Sequence, residues 1–102
     1  MKSLVFGEKR YISIKLSQKS GSFSISGATY EIRKEDRIEV LDTGECGVDD
    51  TTKTVWMLFD TMATDEGEPV YTVGDTLYVY FWVTITDTSK IVNGTVRVEI
   101  VR

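Results

Sequence analysis

The stretch Leu77-Tyr78-Val79-Tyr80-Phe81-Trp82-Val83-Thr84-Ile85-Thr86 decides the fold. Leu77, Val79, Phe81, Val83 and Ile85 fall on one side of an extended chain. Tyr78, Tyr80, Trp82, Thr84 and Thr86 fall on the other. A hydrophobic period of two is the signature of a strand with one buried face. The β-branched and aromatic content suits a pleated surface. Gly74-Asp75, just ahead, is a turn signal.

The same logic extends in both directions. Val96, Val98 and Ile100 share one face, with Arg97 and Glu99 opposite. Asn93-Gly94 before them reads as a tight turn, so residues 76–101 are expected to be two long antiparallel strands linked near 87–94. Toward the N-terminus, Ile12, Ile14 and Leu16 alternate with polar residues, and Lys19-Ser20-Gly21 reads as a turn. Phe23 and Ile25 alternate with serines. At Gly27 the register shifts, and Ala28, Tyr30 and Ile32 carry the inward face onward. A glycine at such a phase change points to a bulge or bend.

Charged residues 33–37 read as a turn, with a short strand Arg37-Ile38-Glu39-Val40 after it. Asp42-Thr43-Gly44-Glu45 reads as another turn, and so does Asp49-Asp50-Thr51-Thr52. Thr54-Val55-Trp56-Met57-Leu58-Phe59 is apolar on both faces, as a central strand would be. Residues 60–69 read as an acidic loop holding Gly67 and Pro69, and Val70–Val73 as a short edge strand. No apolar repeat of 3.6 residues continues far enough for a helix. The count is about seven or eight short strands with regularly spaced turn signals, the sandwich or barrel pattern. The reading taken is an all-β, immunoglobulin-like β-sandwich of antiparallel strands. It is expected to fill residues 1–102 as one domain, with 1–9 as a loose N-terminal arm.

Composition narrows the function. The 102 residues contain no histidine and one cysteine, Cys46. Without His there is no usual general base, no usual transition-metal ligand and no usual partner for a Ser or Cys nucleophile. One Cys excludes an internal disulfide and a Cys-based metal site. An enzyme is therefore not expected, nor a cofactor or a metal site. Net charge is −4, but unevenly spread. Residues 1–40 hold eight Lys/Arg against five Asp/Glu, and residues 42–68 hold one Lys against eight acids. An acidic middle argues against nucleic-acid binding. No apolar run is long enough for a membrane helix, and residues 1–8 lack the apolar stretch of a secretory signal. No membrane association is expected.

Three segments carry a resemblance. Ser22-Phe23-Ser24-Ile25-Ser26-Gly27-Ala28-Thr29-Tyr30-Glu31-Ile32 is similar to a strand with a Gly-Ala-Thr step in virion proteins of phages and prophages of Gram-positive hosts. Val40…Asp42-Thr43-Gly44…Val48-Asp49 resembles their short hairpin. Gly74…Tyr78-Val79-Tyr80-Phe81-Trp82-Val83 resembles the strand before their last hairpin. Over about residues 10–101 the chain resembles the N-terminal domain of phage baseplate upper proteins. The resemblance implies a non-enzymatic structural, assembly or protein-binding module of a tail, baseplate or head–tail region. It implies protein partners, either copies of itself or other virion subunits, and a location in the virion or the bacterial cytoplasm. It brings no catalytic residue. The alternative is a carbohydrate-binding or adhesive immunoglobulin-like module of a bacterial surface protein.

The candidate site is the row Tyr78, Tyr80 and Trp82, whose members lie about 7 Å apart along one strand face. It reads as an apolar patch for a partner subunit or a stacking platform for sugars. The competing reading is ordinary packing, under a loop, against Lys or Arg stems, or as the core face itself. Trp56 is a further candidate member if its strand lies alongside. Asp42, Glu45, Asp49 and Asp50 cluster on expected turns, but they match no calcium-loop spacing and read as a solvated face.

Overall fold

The computed structural model describes residues 2–17, 23–86 and 90–102. Among the described residues ten strands form, and no helix is long and apolar enough to cross a membrane. The expected turn at 19–21 lies outside the described residues.

The strands are β1 (Lys2–Val5), β2 (Lys9–Lys15), β3 (Ile25–Lys34), β4 (Val40–Glu45), β5 (Gly47–Asp49), β6 (Thr54–Asp60), β7 (Thr64–Asp65), β8 (Glu68–Pro69), β9 (Thr76–Ile85) and β10 (Lys90–Val101). A five-stranded sheet has the order β1-β10-β9-β3-β4, a three-stranded sheet the order β2-β6-β5, and β7 pairs with β8. The chain is all-β, as its periodicity predicts. It is not wholly antiparallel, because β1 runs parallel to β10.

The period-two pattern maps directly onto burial. Leu77, Val79, Phe81, Val83 and Ile85 of β9 are buried, and they meet Ile12, Val55, Met57 and Phe59 of the three-stranded sheet in one core. Burying such a side chain contributes about 1.5–3 kcal/mol. The five inward residues of β9 make up a third of the fifteen buried hydrophobic residues among the described residues.

Several sequence expectations give way to longer-range contacts. Residues 2–5 are not a loose arm. Leu4 is wholly buried, and β1 pairs with Val98–Val101. Asn93-Gly94 is not a turn, since both residues lie within β10 opposite Trp82 and Phe81. A Cβ on Gly94 would lie 2.7 Å from Ile14 Cδ1, so this glycine serves the close approach of the facing sheet. Asp42-Thr43-Gly44-Glu45 is likewise strand, and Gly44 makes room for the Tyr30 ring, 2.8 Å from where its Cβ would sit.

The β3–β4 turn is short. Arg37 N–H donates to the Lys34 carbonyl, and Asp36 Oδ1 accepts from the N–H groups of Ile38 and Glu39. Arg37 itself holds φ at 63°. Arg33 and Lys34 belong to β3 rather than to the turn, and Ile38 and Glu39 precede β4. The acidic segment 60–69 is not all loop, because Glu66 and Gly67 turn the small β7–β8 hairpin with positive φ at both positions. That is the two-residue hairpin conformation that matches strand twist. Val70–Val73 forms no strand. Tyr71 instead turns inward and packs on Phe59, ring centroids 5.0 Å apart. The bend at Gly27 is present as a register shift between Ile25 and Gly27 in the pairing with β9.

Candidate functional site

Tyr78, Tyr80 and Trp82 stand on the outer face of the five-stranded sheet, each half-buried. The aliphatic side of β9 forms the core, so the row is not the core face. Its neighbours follow from register. Tyr78 lies between Arg33 of β3 and Arg97 of β10, Tyr80 between Glu31 and Thr95, and Trp82 between Thr29 and Asn93. One step farther along, Thr84 lies between Gly27 and Ile91.

These neighbours lock the row. The Arg33 guanidinium sits over the Tyr80 ring, 4.4 Å from its centroid, and that of Arg37 sits over Tyr78 at 4.2 Å. Tyr80 and Trp82 stack, with centroids 6.4 Å apart and planes 20° from parallel. Trp82 Nε1–H donates to Glu31 Oε1 at 2.9 Å, and Arg33 Nη2 donates to the same oxygen at 2.8 Å. Arg33 Nη1 donates to the Arg37 carbonyl at 3.0 Å. Arg33 thus ties the turn that carries Arg37 to the strand that carries Glu31. These bonds, led by that from Arg33 and followed by that from Trp82, hold the Glu31 carboxyl below its usual pKa. Cation–π contact and charge-assisted hydrogen bonding both strengthen as water is excluded.

The row is therefore packed against arginine, yet still reaches solvent. The intrachain contacts are those of the ordinary-packing reading, against Arg stems. Trp56 does not join it. Trp56 belongs to β6, in the other sheet, opposite Gly47. Reading the sequence finds the three aromatics but not the residues that fix them. Alternation on β3 already sends Glu31 and Arg33 to the face opposite Tyr30 and Ile32. The sequence carries no sign that β3 is the strand beside β9.

An open concavity of about 460 Å³ adjoins the row, between Trp82, Ile91, Thr84, Gly27 and Glu45. A Cβ on Gly27 would touch nothing within 4 Å. The lack of a side chain there leaves the concavity open.

The acidic residues have structural work. Asp49 Oδ1 accepts from the N–H groups of Thr51 and Thr52 and so caps the β5–β6 turn. Asp50 Oδ1 accepts from Lys53 Nζ and, next in effect, from Ile25 N–H, which holds its pKa down. Asp42 Oδ2 accepts from the Tyr30 hydroxyl. Among the described residues no group of three or more His, Cys, Asp or Glu side chains is placed to hold a metal ion. Burial pushes the Cys46 thiol up from 9.0 to about 11, which disfavours the reactive thiolate.

Comparison of the chain with protein families, with curated proteins and with solved structures returned no match.

Proposed function

We propose that this chain is a non-enzymatic, immunoglobulin-like assembly module that docks a protein partner through the outer face of its five-stranded sheet. The observation that carries the reading is the arginine-braced row of Tyr78, Tyr80 and Trp82. Tyr, Trp and Arg are the residue types that dominate binding energy at protein interfaces. Held by Arg37, Arg33 and Glu31, the rings lose little side-chain freedom on docking, and that lowers the cost of association.

The strand order supports the immunoglobulin-like part. The sequence β10-β9-β3-β4 facing β2-β6-β5 corresponds to the G-F-C-C′ and B-E-D orders of such sandwiches. The virion setting, in a tail, baseplate or head–tail region, is proposed only from the resemblance that residues 10–101 bear to the N-terminal domain of phage baseplate upper proteins. The bracing favours protein over sugar. A sugar stacks on an open ring face, and Tyr78 and Tyr80 each have a face under a guanidinium.

Light scattering across concentration, with and without Tyr80→Ser/Trp82→Ser, tests the docking face. Mass that grows with concentration and returns to the monomer in the double variant supports self-assembly through this face. A monomer at every concentration counts against self-assembly. Pairwise binding to neighbouring virion subunits, lost in the double variant, is then the expected result. A gene lying among metabolic genes, rather than tail, head or portal genes, would count against the virion setting.

A further inference from the structure

We infer that the concavity beside Trp82 receives an arginine side chain from the docking partner. This rests on the reading of the outer sheet face as a docking surface, and adds the chemistry of one anchor. The concavity lies on the side of Trp82 away from Tyr80, because its walls come from Gly27, Thr84 and Ile91, one step farther along the sheet.

Four features define what fits. Trp82 supplies an indole wall, the best aromatic partner for a cation. Ile91, 63% exposed, supplies apolar surface for an aliphatic stem. Glu45 is the one charged residue among those lining the concavity, and it stands opposite Thr29 on the adjoining strand. The hydroxyl of Ser26 donates to the Thr84 carbonyl at 3.2 Å, so its lone pairs remain to accept. An apolar stem, a planar cation and a carboxylate partner together describe arginine. The same face already accepts two arginines of this chain on Tyr78 and Tyr80. A third guanidinium on Trp82 extends that series from outside.

The test uses the two indole N–H resonances in an amide correlation spectrum of the whole chain. Blocked arginine (N-acetyl-arginine amide) is the probe, titrated to about 1 M at constant ionic strength because one cation–π contact and one exposed ion pair give a Kd of about 10–300 mM. The Trp82 indole resonance should shift and saturate while that of Trp56 stays. Glu45→Gln should weaken binding by about 1.5- to 5-fold, the scale of an exposed ion pair. Gly27→Val should abolish the shift by filling the concavity, and a dispersed spectrum confirms that the variant folds. No saturating shift at Trp82, or an equal response to blocked lysine, overturns the inference. A response to methyl glycosides in place of arginine overturns it in favour of a sugar site. If arginine fails while Tyr80→Ser/Trp82→Ser still abolishes assembly, the anchor is wrong and the docking face stands. If both fail, the docking face falls too.

Discussion

The indole of Trp56 occupies the space that a side chain on Gly47 would need. The two residues are cross-strand partners in β6 and β5, and a Cβ at Gly47 would clash with the ring atoms Cε2, Nε1 and Cζ2. Gly47→Ala should therefore expel the ring or spread the strands, at a cost of about 1–3 kcal/mol. Urea unfolding would measure the loss. In a Trp82→Phe background, a red shift of Trp56 emission would report the displaced ring. Unchanged stability and emission would contradict the contact.

The two faces of β9 should respond differently to truncation. Phe81 is fully buried, and Phe81→Ala should cost about 3–5 kcal/mol, most of the stability of a small domain. Tyr80→Ser, on the outer face, should leave the core intact and lose only its stacking and cation–π contacts, about 0.5–1.5 kcal/mol. Thermal unfolding of the two variants should separate them clearly. Equal losses would mean that the outer row is structural.

Leu4→Ala tests the first strand. Leu4 of β1 is wholly buried, so the substitution should cost about 2–5 kcal/mol. Backbone amides of Phe6 and of β10 should exchange faster with solvent, since Phe6 N–H donates to the Val101 carbonyl. A neutral effect would restore the picture of a loose arm.

Glu31 gives a pH signature. Its carboxyl is held below the ordinary value in the folded state, first by Arg33 and then by Trp82. A depressed folded pKa adds stability above the unfolded value of about 4.3, and that stability is lost as pH falls through the lower folded value. Stability should therefore decline in acid below the ordinary Glu range, with Glu31→Gln flattening that decline. The pair is about a quarter exposed, so the effect is modest. The Trp82 indole N–H resonance should move with the same midpoint, and a static resonance would break the assignment.

What the sequence conveyed follows from the range of the interactions involved. The buried face of β9 was legible because alternation is local, and every second residue from Leu77 to Ile85 meets the same environment. The shift at Gly27 was legible for the same reason. Gly44 and Gly94 were misread as turns because their purpose lies in residues far along the chain, the Tyr30 ring and Ile14. Val70–Val73 misled because Tyr71 is buried alone, as a plug against Phe59, without a strand's alternation. At the candidate site the aromatics showed themselves by spacing. Their arginines did not, since Arg33 reaches Tyr80 across a strand pair and Arg37 reaches Tyr78 from a turn.

The parallel pairing of β1 with β10 also bears on how the chain comes to its structure. Of the ten strands among the described residues, β1 leaves the ribosome first and its partner last. Until β10 emerges, Leu4 has no sheet to join, and β9 keeps one edge open. Contacts between such distant segments delay folding, because the loop entropy must be met before the contacts reward it. Chains interrupted before residue 90 would present the outer aromatics and an unpaired β9 edge together, the combination most prone to wrong partners. Self-association of nascent fragments is thus the hazard that this topology carries, and closure by the last strand removes it.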